Sequence, residues 1–307
     1  MHFLLLAAAI AIAVWAGPAT VAQTAAAPDA LSADQIMAKV AANQDRTEAA
    51  RTHYIYQQHI RIASRKPGGK LMCQEITDSR VSPQQKESQQ QLLNLDGSLW
   101  HKGKYLHYTK LPDRHAEADG INMSIGGDDP MDLDLVEDLR KDLADDKSKD
   151  GLGKGLFPLT TTEQTQYQFK LEGRQTMNGR DVYHLSFRPK DKNEFDWKGE
   201  AFIDAHEFEP VVVYTEMSRK VPLAVRTLLG TNLPGLGFSV TYDREPDGVW
   251  FPVSFGTEFR MRVLFFIARD ISMSLANTHF EKTHSDVRIL DGVKVVDNAP
   301  PTSPAAH

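Results

Sequence analysis

The stretch Gly199 to Tyr214, GEAFIDAHEFEPVVVY, decides how this chain is read. It has the form strand, turn, strand. Side chains two apart on a strand point the same way, so Ala201 and Ile203 share a face on one side of the turn, and Val211, Val213 and Thr215 share a face on the other side of it. Asp204 to Pro210 is the polar turn between them, closing on a proline that opens the next apolar run.

The sequence on both sides continues in short alternating strands. From Thr52 the period is two: Tyr54, Tyr56 and His59 to Ile62 lead into a KPGGK turn, and Leu71 to Ile76 runs back. Two more strands are expected near Gln91 to Leu95 and Trp100 to Tyr108, with LDGS as the turn between them. Tyr167, Phe169 and Leu171 alternate, an MNGR turn spans Met177 to Arg180, and Val182 to Phe187 returns. After the decisive hairpin, Phe238, Val240 and Tyr242 alternate, followed by a DREPDG turn and Trp250 to Phe255. A long run from Phe255 to Ile267 puts Phe255, Phe259, Met261, Val263, Phe265 and Ile267 on one face, with Glu258, Arg260 and Arg262 on the other. Ile271, Met273 and Leu275 finish the series.

Two helices interrupt the strands. LSADQIMAKVAANQ, from Leu31, carries Ser32 as N-cap, Gln35 as its capping-box partner, Leu31 against Ile36 as a staple, and an apolar stripe of Ile36, Met37, Val40 and Ala41. Asp129 and Pro130 start the second, where Leu135, Val136, Leu139 and Leu143 fall at helical spacing and the acids fill the opposite, solvated face. The fold class that follows is mainly β (α+β): one large, curved antiparallel sheet of about nine to eleven strands, a half-barrel with helices on its concave side.

The first residues, MHFLLLAAAIAIAVWAGPATVA, have an apolar core from Phe3 to Trp15 and small residues at Thr20 and Ala22, the pattern of a cleaved secretory signal peptide over residues 1–22. Residues 23–30 are a small-residue linker, 31–286 the folded domain, and 287–307 a mostly disordered tail. The expected location is the periplasm. Cys73 is the only cysteine, so no intramolecular disulfide holds the fold and it is read as a small buried or half-buried strand residue. The net charge is -6, and the segment from Asp128 to Asp150 carries ten acids against four bases, leaving the remainder near neutral. That balance gives no basic field for nucleic acid.

Chemistry-bearing motifs are few. His101 and His107, read on one strand, stand about 20 Å apart, too far to share an ion. His206 with Glu207 lacks the second histidine of a zinc helix, no serine sits in a nucleophile elbow, and the acidic helix lacks a calcium-loop pattern. No cofactor, metal or catalytic residue is expected. Instead, apolar residues stand out twice. Phe238, Phe255, Phe259, Met261, Val263 and Phe265 form a face suited either to a filled core or to a lipid cavity. Val221, Leu223, Val225, Leu228 and Leu229 lie in the insert from Met217 to Gly237, with Arg219, Lys220 and Arg226 among them, and read as a lid, a membrane-touching segment or a core plug.

The small-residue, aromatic, Ile, Asp start of Ala201 to Asp204, its polar turn and its proline-led strand resemble the central hairpin of LolA-like proteins, the periplasmic lipoprotein-sorting carriers. The resemblance extends in element order over roughly Leu31 to Phe280, and the length, acidic second helix and Met217 to Gly237 insert depart from the compact carrier pattern. It implies a monomeric half-barrel that takes acyl chains of a lipid or lipoprotein, without assigning any residue. Two other classes stay open. One is an envelope-stress sensor or adaptor that binds a partner protein with the same fold, touching membrane or envelope proteins. The other is a hydrolase built where Asp204, His206 and His184 converge.

Overall fold

The computed structural model describes residues 31–83, 88–110, 130–143, 157–191, 197–218, 236–263 and 267–283. In chain order these form α1 (Ala33–Arg51), β1 (Tyr54–Arg65), β2 (Leu71–Pro83), β3 (Ser88–His101), β4 (Lys104–Tyr108), α2 (Pro130–Leu143), α3 (Thr161–Gln164), β5 (Tyr167–Met177), β6 (Arg180–Pro189), β7 (Trp197–Asp204), β8 (Pro210–Met217), β9 (Gly237–Arg244), β10 (Trp250–Val263) and β11 (Ile267–Lys282). Residues 1–22, 23–30 and 287–307, expected as leader, linker and tail, lie outside the described residues.

All eleven strands join one antiparallel sheet in the order β4-β3-β2-β1-β11-β10-β9-β8-β7-β6-β5. Every pair of neighbouring strands is consecutive in sequence, as hairpin connections require, except at the centre, where β1 pairs with β11; the chain crosses from one edge of the sheet to the other between β4 and β5. The sheet is open, with β4 and β5 as its edges. Its strand count and antiparallel order agree with the sequence reading.

Local chemistry explains the elements. Ser32 accepts from the Gln35 backbone while the Gln35 side chain accepts from Ser32, so both halves of the capping box form and α1 starts there. Asn178 and Gly179 have φ of 52° and 78°, the pair of positive values a two-residue hairpin turn needs. In the decisive hairpin the Asp204 carboxylate accepts from the backbone of His206 and Glu207 at 2.9 Å each, which shapes the β7–β8 turn. Phe202 pairs with Val212 and Ile203 with Pro210, so Val211 is a bulge residue, and the inner face of β8 is set by Val213 and Thr215.

One face, here the inner face, carries α1 and α2. It buries Ile60, Ile62, Leu185, Ile203, Val213 and Val240, and it is the core of the protein.

Three expectations are overturned. LDGS is not a turn: β3 runs straight through it, and the chain reverses at Lys102 and Gly103, with φ of 46° and 86°. Gly97 lies in mid-strand because the Tyr108 ring of β4 covers it, and a Cβ there would come within 2.1 Å of that ring. The run from Phe255 to Ile267 is not one strand, since Val263 pairs with Ile267 across a hairpin. The acids of α2 are not all solvated: Asp132 and Glu137 are buried.

Candidate functional site

The site is built where β7, β9 and β10 bring aromatic side chains to the inner face. Register places Val240 opposite Phe255 and Thr215 opposite Phe238. The rings of Phe238 and Phe255 stack at 5.3 Å, and Trp197 meets Phe238 edge-on at 5.0 Å. Along β10, Phe255 and Thr257 are buried and Phe259 and Met261 half-buried, whereas Glu258, Arg260 and Arg262 are exposed on the outer face. Arg260 there holds Asp270 through two hydrogen bonds of 2.6 and 3.1 Å. The alternation expected for β10 is therefore present as far as Met261. Trp197, Phe238, Phe259 and Met261 form a half-buried strip that continues outward from the fully buried Phe255.

Val263 closes β10 opposite Ile267. Phe265, together with Val221, Leu223, Val225, Leu228 and Leu229, lies outside the described residues. Trp197 is the member of the strip that the sequence reading passed over. Its signal was present, because Trp197, Gly199, Ala201 and Ile203 alternate on one face of the decisive hairpin.

On its β11 side the strip meets charge. Met261 pairs with Arg269, whose Nε and Nη2 each donate to a separate oxygen of Asp132 at 2.7 Å. Ser64 of β1 donates to the same carboxylate at 2.6 Å, and Asp132 is 0% exposed. This fork ties α2 to β11 and β1. A second tie lies one helical stretch further on, where Arg140 Nε donates to Glu75 of β2 at 2.9 Å and the Tyr108 hydroxyl donates to the other Glu75 oxygen at 2.9 Å. Cys73 Sγ is 3.8 Å from that hydroxyl. Burial pushes the Cys73 thiol up to about 12, with the Tyr108 hydrogen bond acting in the opposite direction. Burial likewise raises the Tyr108 hydroxyl above its ordinary range. Cys73 is thus a buried strand residue, in agreement with the expectation from the sequence.

The histidines do not assemble. His101 and His107 sit on different strands, paired with Lys104 and Ser98, and so point to opposite faces, a correction to the one-strand reading. His184 stacks on Phe202 at 4.6 Å with Nε2 3.3 Å from Glu200. Asp204 holds the turn backbone and lies 3.7 Å from Arg180, while His206 is exposed. The Asp204, His206 and His184 convergence required for a hydrolase is not made by these contacts. Among the described residues no group of three His, Cys, Asp or Glu could hold a metal ion, and no helix is long and apolar enough to cross a membrane. A groove of about 680 Å³ runs along β5 to β8, where the Lys170–Glu172 and Lys198–Glu216 pairs stand beside Phe169, Phe187 and Tyr214, so its lining mixes charge with apolar surface.

No protein-family model matches the sequence, and neither does any curated protein. Among solved structures the chain is similar to a DUF1329 family protein from Desulfovibrio piger, at 12% identity and a TM-score of 0.35 over 85% of this chain and 95% of that one. It is similar to a putative outer membrane lipoprotein-sorting protein domain from Vibrio parahaemolyticus, at 15% identity and a TM-score of 0.32 over 78% and 91%. A LolA superfamily protein from Nitrosomonas europaea gives 12% identity and a TM-score of 0.33 over 83% and 94%. At these values the likeness carries no residue role, ligand or partner to this chain.

Proposed function

We propose that this protein is an exported carrier that holds an acyl chain of a lipid or lipoprotein against the inner-face strip of Trp197, Phe238, Phe259 and Met261, which rests on Phe255. The observation that supports this reading is the graded burial of the strip: Phe255 is sealed in the core while its neighbours remain half-accessible on the same face. An acyl chain is the ligand such a surface suits, because each methylene removed from water is worth about 0.8 kcal/mol and a thioether adapts to irregular chain positions. The signal-like leader over residues 1–22 supports export, and the resemblance of the central hairpin supports a carrier rather than an enzyme. Val263, Phe265 and the 221–229 segment are proposed parts of the same surface only by sequence.

The test is Phe259→Arg, which places a charge in the strip at a half-buried position. The variant is expected to keep its circular-dichroism spectrum and lose affinity for a fluorescent fatty acid by about tenfold or more, the equivalent of 1.4 kcal/mol. Unchanged affinity in the folded variant would sink the acyl-chain reading. Native mass spectrometry of periplasmically expressed protein offers an independent check, since a co-purified protein in place of acyl species supports the adaptor class instead.

A further inference from the structure

Strand β3 is longer than the strand that covers it. On one side β2 pairs with it from Ser88 to Leu99. On the other, β4 pairs only with Gly97 to His101, so among the described residues Ser88 to Asp96 has no strand partner there. This overhang exposes two large apolar side chains, Leu92 at 44% and Leu93 at 54%.

The opposite edge of the sheet shows what a guarded edge looks like. Strand β5 carries Lys170, Glu172 and Arg174, engaged with Glu172, Ser186 and Asp181, and its pairing with β6 is broken by a register shift at Glu172. Charges and bulges of this kind prevent edge-to-edge pairing. Ser88 to Leu95, SQQQLLNL, contains no charge, proline or glycine. Its register shift against β2 falls at Leu93, so Ser88 to Leu92 is regular strand. A regular, neutral edge whose outward backbone donors and acceptors meet no strand among the described residues is a template for another strand.

We propose that this edge pairs with the same edge of a second copy of the chain, antiparallel across a two-fold axis at Gln90, so that the sheet continues from one chain into the other. The symmetry places Gln89 opposite Gln91 of the partner subunit, Ser88 opposite Leu92 of the partner subunit, and Gln90 opposite its own copy. Only self-complementary side chains tolerate that arrangement. A glutamine amide is both donor and acceptor and bonds its own kind, whereas an acid or lysine would face its like. The pairing also covers Leu92, the exposed leucine within the regular stretch. It replaces the expectation of a monomer and is independent of what the inner face binds.

The experiment is sedimentation velocity on the full chain over a concentration series from low micromolar to a few hundred micromolar. Wild type is expected to pass from monomer to dimer. Gln89 and Gln91 are both exposed, so Gln89→Lys with Gln91→Lys, and Gln89→Glu with Gln91→Glu, leave the fold intact, as an unchanged melting curve will verify. Each double variant alone is expected to weaken dimerisation by about tenfold or more, as like charges meet across the axis. Mixing the two in equal amounts should restore the dimer as a mixed species. Wild type that stays monomeric throughout overturns the proposal. So does a dimer that either variant leaves unchanged, or a mixture that fails to re-form one.

Discussion

Helices α1 and α2 lie on the same face of the sheet and are held there by different chemistry. Helix α1 buries Ile36, Met37, Val40 and Ala41, and its later turns add three neutral donors, Asn43, Gln44 and Thr47, and one cation, Arg51. Asn43 donates to the carbonyls of Glu207 and Phe208 at 2.5 and 3.1 Å, Gln44 and Thr47 donate to Glu209 at 2.6 and 2.9 Å, and Arg51 donates to the Trp250 carbonyl at 2.7 Å. Among the described residues helix α2 has Val136 and Leu143 as its buried apolar side chains, and it depends on the Asp132–Arg269 and Glu75–Arg140 pairs. Contacts of the first kind are many and separately small, so losing one leaves the others in place. Contacts of the second kind are coupled, because removing one charge strands its partner in a dry site. The aromatic strip runs up to the second kind.

The largest effect is expected at that point. Asp132→Asn leaves the Arg269 guanidinium buried without its counter-charge, and urea unfolding should show a loss of about 3–5 kcal/mol. Replacing both partners, Asp132→Leu with Arg269→Met, should recover most of it, since a buried pair exchanged for apolar groups is often neutral. A single-variant loss below about 1 kcal/mol would mean the pair is solvated in solution and the contrast with α1 is false.

Cys73 reports on the same comparison kinetically. In the native protein a thiol reagent should label it slowly, because the thiol is buried and its pKa is pushed up to about 12. Asp132→Asn should accelerate labelling many-fold by letting α2 open locally, while Thr47→Ala in α1 should not. Equal acceleration by both variants would show that the helices leave together.

The smallest effect belongs to Glu209, beneath α1. Burial raises its carboxyl above the ordinary value of 4.5, with Thr47, Arg51 and Gln44 pulling it back down. The folded state therefore binds this proton more tightly than the unfolded chain. Ionisation costs stability as pH rises from the ordinary value through the raised one, and the cost is absent below both. Against Glu209→Gln, which does not titrate, wild type should be relatively most stable near about pH 4 and lose that advantage toward about pH 7. A difference that runs the opposite way with pH would refute the burial account.

Much of the sheet was legible because alternation is a local signal: Tyr54 to Ile62, Phe238 to Tyr242 and Phe255 to Met261 declare their faces within a few residues. The failures came where a distant partner decides the outcome. Asp-Gly in LDGS is a strong hairpin signal, yet Gly97 stays extended because Tyr108 lies over it. Asp132 looks like any acid on a solvated helix, since the arginine that buries it comes 137 residues later. The strip itself was half-read. Phe238 and the odd positions of β10 stood out, but their meeting with Trp197 depends on pairing across three strands. The charges that bound the strip on its β11 side belong to α2, whose place on the sheet no periodicity reveals.

The pairing of β1 with β11 sets the order in which this chain can mature. Gln58 donates to Asn277, 219 residues further on, in the middle of the sheet. Every other ladder is a hairpin that neighbouring segments can zip as they appear. The central seam waits for the last strand, and closing so long a loop is the step most exposed to delay. A chain emerging vectorially, from a ribosome or through a membrane pore, would hold two separate ribbons, β1 to β4 and β5 to β10, until β11 arrives to join them. Any product cut short before Ile267 leaves the long flanks of β1 and β10 bare, and such a fragment should aggregate rather than persist as a smaller version of the protein.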